Sequence, residues 1–265
     1  VGGTTGLIYG FVNDGFYTVD DFKPFDSKSR TWTLKDGVVN SSPLSGDPRP
    51  GNAKFKKLTP VDENSANPYT LTDDDRTVIG NTTPKFSGGF GLNATFKGFD
   101  VSAFFNFMYD FDVFNANKVM MTTWASNNYN NFSMDISAAK RWRNFDDMGN
   151  EIRYSPEILA EFNKNATMWN PTSIGRPIAM SYAVEDGSFL RLNTATIGYT
   201  LPRAWTNKVG LSRVRFYASG YNLFTITGYS GYDPEVDIAT GLTPNIDNNR
   251  YPRSRTYTFG VQLTF

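Results

Sequence analysis

Phe86-Ser87-Gly88-Gly89-Phe90-Gly91-Leu92-Asn93-Ala94-Thr95-Phe96 is followed by Lys97-Gly98 and then by Phe99-Asp100-Val101-Ser102-Ala103-Phe104-Phe105-Asn106-Phe107-Met108-Tyr109. In the first run the even positions are Phe86, Gly88, Phe90, Leu92, Ala94 and Phe96; the odd ones are Ser87, Gly89, Gly91, Asn93 and Thr95. A period of two sends alternate side chains to opposite faces of a strand, here one apolar and one small or polar. The second run sets Phe99, Val101, Ala103, Phe105, Phe107 and Tyr109 against Asp100, Ser102 and Asn106, although Phe104 and Met108 blur the polar face. Two such runs around a short glycine turn predict a β-hairpin.

The same alternation returns downstream. In Ser188–Leu201 the second half sets Ala195, Ile197, Tyr199 and Leu201 against Thr194, Thr196, Gly198 and Thr200. Leu190 and Leu192 are out of phase with it, which predicts a bulge near Asn193. Ser212–Asn222 puts Val214, Phe216 and Ala218 opposite Arg213, Arg215, Tyr217 and Ser219. The end of the chain alternates Tyr257, Phe259, Val261, Leu263 and Phe265 with Thr258, Gly260, Gln262 and Thr264. A sixth strand, of unclear phase, is expected through Leu7-Ile8-Tyr9-Gly10-Phe11-Val12.

The connections alternate in length. Lys97-Gly98 and Pro202–Leu211 are short, while residues 14–85, 110–187 and 223–252 form long links. Links of that size usually carry function. In the middle one, Asp135 is expected to cap a turn through Ile136, Ala139 and Trp142, and Ser155-Pro156-Glu157 to start a helix through Ile158, Leu159 and Phe162. Short turns on one side and long loops on the other characterise transmembrane β-barrels. A hydrocarbon band about 25 Å tall takes roughly ten residues per tilted strand, and strands in soluble sandwiches are usually about five or six. Six strands cannot close a membrane barrel, whose smallest form has about eight. The pattern therefore predicts part of a larger antiparallel barrel.

Composition narrows the chemistry. The 265 residues carry 26 basic and 26 acidic side chains, and no Cys or His. Charge balance disfavours nucleic-acid binding, and the missing residue types exclude disulfides, thiolate catalysis, Cys- or His-ligated metals and a Ser-His-Asp triad. Hydrophobic residues make up 39%, and no apolar run exceeds three residues, so a membrane-spanning helix is not expected. No leader is visible at Val1-Gly2-Gly3.

Ordered segments along the chain resemble the C-terminal part of SusC/RagA-type TonB-dependent outer-membrane transporters of the Bacteroidetes. They are Ile8-Tyr9-Gly10-Phe11 with Asp14-Gly15-Phe16-Tyr17, and Asp75-Arg76-Thr77-Val78-Ile79-Gly80-Asn81 before Pro84-Lys85-Phe86. Next come Asp186-Gly187-Ser188-Phe189-Leu190-Arg191-Leu192 and Gly198-Tyr199-Thr200-Leu201-Pro202. Tyr221-Asn222-Leu223-Phe224-Thr225-Ile226-Thr227, Gly231-Tyr232-Asp233-Pro234-Glu235 and Tyr251-Pro252-Arg253 complete the set. The resemblance implies an all-β transmembrane barrel of about 22 strands. Residues 1–265 would supply its C-terminal portion, with the plug and earlier strands lying outside the chain. It further implies nutrient import rather than catalysis, a SusD-like surface lipoprotein, TonB acting through the plug, and oligosaccharide or peptide cargo. It implies no cofactor. Members often carry an Asp-x-Asn-x-Asp-Gly loop resembling a calcium site. Here the region reads Asp62-Glu63-Asn64-Ser65-Ala66-Asn67-Pro68, which lacks the turn glycine and puts calcium between Asp62 and Asp75 in doubt.

On this barrel reading Phe90, Leu92, Phe96, Val101, Phe105, Phe107, Val214, Phe216, Phe259, Val261 and Leu263 face lipid, and Arg213, Arg215 and Tyr217 face the lumen or plug. With Phe265 at the periplasmic end, as the terminal aromatic that signals barrel assembly, the long links become extracellular. Their aromatics Trp124, Tyr129, Trp142, Trp169, Tyr229 and Tyr232 are candidates for cargo or partner contact. Gly89-Phe90-Gly91-Leu92-Asn93-Ala94 matches a dinucleotide fingerprint by accident, because strand alternation runs straight through it. Asp73-Asp74-Asp75-Arg76 reads as a turn that fixes local backbone, and Asp233, Glu235 and Asp237 as loop carboxylates without a hydrolytic role. Two other classes share part of the pattern: a soluble β-protein that binds or cleaves glycans, and a passive porin or adhesin barrel.

Overall fold

The computed structural model describes residues 5–124, 132–236 and 245–265. Five long strands carry the main sheet: β1 (Phe86–Phe96), β2 (Phe99–Tyr109), β3 (Phe189–Thr200), β4 (Arg213–Thr227) and β5 (Thr256–Thr264). Each pairs antiparallel with the next, in the order β5-β4-β3-β2-β1, so the sheet is a meander whose first and last strands are its edges. The β1–β2 hairpin closes through Lys97 (φ 45°) and Gly98 (φ 89°). Two consecutive positive φ angles match the right-handed twist of paired strands.

The expected bulge falls where the phase breaks. On the β2 side, Phe104 pairs with Thr194 and Phe105 with Leu192, leaving Asn193 over. Against β4, Tyr221 pairs with Thr194 and Phe224 with Leu192, with Asn222 at φ 53° in the slip. Beyond this dislocation β4 continues to Thr227, past the expected end at Asn222, because Phe224 and Ile226 resume pairing with Leu192 and Leu190. The expected sixth strand is shorter than its pattern suggested. Leu7–Gly10 forms a separate two-stranded ladder with Thr77–Asn81 and does not join the sheet.

The chain divides into two compact units, one from residues 7–80 and 114–184 and one from 81–113 and 185–265. The first gathers most of two long links around an apolar core of its own, including Phe11, Phe55, Val119, Trp169, Ile174 and Met180. A second cluster in that unit joins Trp142, Ile152 and Leu159. Helices α1 (Ala116–Thr122) and α2 (Pro156–Phe162) supply Val119 and Leu159 to these clusters. Pro156 opens α2 after Ser155, as the sequence predicts. The upstream turn is Met134–Ile136 with Ser133 as its cap, so Asp135 lies inside the turn instead of capping it.

Candidate functional site

Residues paired across an antiparallel sheet share a face. Across one row run Phe96, Phe99, Tyr199, Phe216 and Val261; across another run Phe90, Phe105, Leu192 and Phe224. Ala94, Val101, Ile197, Ala218 and Phe259 form one of the two rows between. This face carries no charge, and the sequence-selected residues Phe90, Leu92, Phe96, Val101, Phe105, Phe107, Val214, Phe216, Phe259, Val261 and Leu263 all lie on it. Most are unusually open to solvent for apolar side chains, with Phe259 80% and Phe96 70% exposed, while Val214 is buried. An exposed apolar face of this extent marks an interaction surface.

The opposite face is polar. Arg215 forms a two-pronged ion pair with Asp100, its Nε 2.9 Å from Oδ1. The guanidinium crosses β3 over Gly198, where an added Cβ would stand 2.4 Å from the Arg215 side chain. Arg215 thus has its partner within the sheet, on a strand 115 residues earlier. Arg213 reaches Thr200 Oγ1 at 3.4 Å, and Thr196 and Ser219 share a hydroxyl hydrogen bond of 2.8 Å. The Tyr217 ring lies over Gly260. Phe104, which blurred the alternation, fits on this face because its ring covers Gly89 and Gly91. The turn Lys97-Gly98, the Pro202–Leu211 link and Phe265 lie at one end of the sheet, and Phe265 is 90% exposed.

At the other end a buried ion network joins three stretches. Arg191 of β3, 3% exposed, pairs with Asp233 and lies 2.9 Å from Glu235, which also holds Arg253 at 3.2 Å. Beside it the Tyr229 hydroxyl donates to Asp247 at 2.6 Å. Burial first, and then this bond to a carboxylate, hold the phenol well above its ordinary ionisation range. Phe111, Val113, Phe189, Tyr229 and Val236 form the apolar floor.

Asp75 is the hub of a second polar centre, in the other unit. Fully buried, it accepts from the amides of Leu58, Thr59 and Thr72 at 2.8–2.9 Å and from Thr59 Oγ1 at 2.7 Å, with Lys57 Nζ 3.4 Å away. Burial alone would raise its pKa, but the Thr59 hydroxyl and the three amides outweigh that and hold it well below the usual carboxylate range. Arg76 pairs with Asp73 and stands 5.0 Å over the Phe11 ring. Among the described residues no group of three acidic side chains is placed to hold a metal.

The loop aromatics separate into two sets. Trp142, Trp169 and Tyr229 are 2–6% exposed and belong to apolar clusters, so as placed they offer no surface to cargo; this corrects their expected role. Trp124 and Tyr232 are exposed, and Tyr129 lies outside the described residues. The sequence pattern placed Asp100 on the polar face without its partner and missed Asp247 and Lys57, because these roles depend on partners distant along the chain.

The chain matches no protein-family model. TonB-dependent receptor P3 of Formosa agariphila is 30% identical over 270 residues, spanning 100% of this chain and 22% of that receptor. The TonB-dependent receptor SusC of Bacteroides thetaiotaomicron is 32% identical over 164 residues, which are 57% of this chain and 15% of SusC. This chain belongs to the TonB-dependent receptors. It spans about a fifth of the length of the curated relatives it matches. The fold of this TonB-dependent receptor chain is also that of a solved structure: the RagAB peptide importer in its closed-closed state superposes on 97% of it, and on 23% of that importer's chain, with a TM-score of 0.60 at 22% identity.

Proposed function

We propose that residues 1–265 form the C-terminal wall of an energised outer-membrane importer. Its barrel of about 22 strands encloses a plug, takes up oligosaccharide or peptide cargo beneath a SusD-like lipoprotein, and is opened by TonB through the plug. The chain makes and breaks no covalent bond. One observation carries this reading: an uncharged and largely solvent-exposed apolar face across five antiparallel strands, backed by a polar face. In lipid every backbone polar group needs a protein partner, so the unpaired rims of β1 and β5 call for further strands. On this reading the apolar rows meet acyl chains, Arg213, Arg215 and Tyr217 face the lumen, Trp124 and Tyr232 are available to cargo or lid, and Phe265 is the assembly signal.

The test is to express the full-length gene in a deletion strain, fractionate membranes, and run unboiled and boiled samples side by side. An outer-membrane protein whose migration shifts on boiling, and whose loss abolishes TonB-dependent growth on one polymeric nutrient, is expected. Recovery as a soluble protein that folds without detergent would instead support a glycan-binding β-protein.

A further inference from the structure

Within the unit formed by residues 7–80 and 114–184 lies a cleft of about 470 Å³. Arg30, Arg49 and Arg153 line it, against a single carboxylate, Asp47. Two of the three guanidiniums are steadied by one aromatic ring. Arg30 stands 5.2 Å and Arg153 5.6 Å from the Tyr154 centroid, and Phe25 stacks on the same ring at 6.1 Å. Arg153 also pairs with Glu151. Arg30 and Arg49 have no carboxylate partner among the described residues, and both are exposed. Gathering like charges around one hollow costs free energy until an anion enters, and guanidinium forks match carboxylate and sulfate oxygens two at a time.

We infer that this cleft binds an anionic sugar, a uronate or sulfated unit of a glycan, through Arg30, Arg49 and Arg153. The inference rests on the importer reading and deepens it by naming the charge class of the cargo. The lining also includes Thr31, Thr172 and Asn144, hydroxyl and amide groups suited to a densely hydroxylated ligand. One mode of peptide recognition adds a strand to a sheet edge, and no lining residue of this cleft lies in one of the strands. Arginine clusters also bind acidic peptides, for which tetra-aspartate is the probe.

The full-length transporter, purified in detergent, is titrated with tetragalacturonate, a sulfated carrageenan tetrasaccharide, neutral maltotetraose and tetra-aspartate, at low and high salt. Wild type and the surface double variant Arg30→Gln/Arg49→Gln are compared. At least one anionic saccharide is expected to bind, to weaken about tenfold or more in the variant, and to weaken with added salt. Maltotetraose is expected to bind no better to wild type than to the variant. The inference is overturned if neither anionic saccharide binds at low salt, if binding ignores the substitutions, or if tetra-aspartate binds as tightly as the saccharides. Boiled and unboiled gels of the same preparation score the barrel independently, so failure of the importer reading and failure of the cleft are told apart.

Discussion

Arg215 and Asp100, on β4 and β2, grip each other across the intervening strand because Gly198 leaves the space above β3 bare. Three strands are thereby clamped by a single ion pair on the polar face, and the glycine is as necessary to it as either charge. Asp100→Ala is expected to lower stability by about 1–2 kcal/mol, less than a fully buried pair because the partners keep some solvent contact. Gly198→Val, which leaves both charged residues in the chain but puts a side chain into the space their pairing needs, should lose at least as much. Equal loss in the double variant Asp100→Ala/Gly198→Val and in Gly198→Val alone would verify the coupling; full additivity would refute it. The measurement is the temperature at which the folded, fast-migrating band disappears.

Phe105 and Phe259 occupy the apolar face, and Ser102 the polar one. Arg at a mid-bilayer lipid-facing position costs about 2–4 kcal/mol. Phe105→Arg and Phe259→Arg should each deplete the protein from the outer membrane, while Ser102→Arg should leave its abundance near wild type. Equal abundance of all three would reverse the assignment of faces.

Asp75 links acid to the stability of the unit it belongs to. Its folded pKa lies below that of a free aspartate, about 3.9. Its stabilisation is therefore complete above that value and is lost as pH falls toward the lower, folded one. Amide exchange at Leu58, Thr59 and Thr72 should accelerate below about pH 4, beyond the intrinsic pH effect. Asp75→Ala should remove that acid limb. At neutral pH it should cost about 3–5 kcal/mol, because Lys57, itself 8% exposed, is left without its counter-ion. An unchanged acid limb in the variant would show that another carboxylate controls it.

Arg191 faces two carboxylates from one buried position. Arg191→Met leaves Asp233 with the Glu235 amide but no cation among the described residues, and Glu235 with Arg253 alone, and a loss of about 3–5 kcal/mol is expected. Arg191→Lys should rescue little, because an ammonium cannot serve two carboxylates with the planar fork of a guanidinium. Thermal unfolding of the two variants in detergent decides the point; near-complete rescue by Lys would mean that charge alone, and not fork geometry, holds the network.

Much of the sheet was legible because a strand writes its faces into sequence with period two. Phe86–Tyr109 displayed that period clearly, and the phase jump between Leu192 and Ala195 marked the bulge at Asn193. Where backbone is irregular there is no period to read. Trp142 and Trp169 sit in links, so nothing local distinguished a core aromatic from an exposed one, and only the packing of residues 7–80 with 114–184 shows them buried. Arg215 was correctly assigned to the polar face, but its partner is 115 residues away and no spacing rule connects them. Leu7–Gly10 misled for the opposite reason, since a short apolar run gives composition without enough length to fix a phase.

The turn at Lys97-Gly98 also sets an order of events. Zipping β1 to β2 closes a loop of two residues, whereas bringing β3 onto β2 must first span residues 110–188. Closure entropy grows with the logarithm of loop length, so the second step begins with a handicap of roughly 3 kcal/mol. The hairpin is therefore expected to form early and the β2–β3 seam late. Because the chain has no cysteine of its own, this order can be timed with cross-links at paired positions. In pulse-labelled cells Leu92→Cys/Ala103→Cys should lock before Ala103→Cys/Ala195→Cys, and simultaneous locking would mean that the seam arrives already formed.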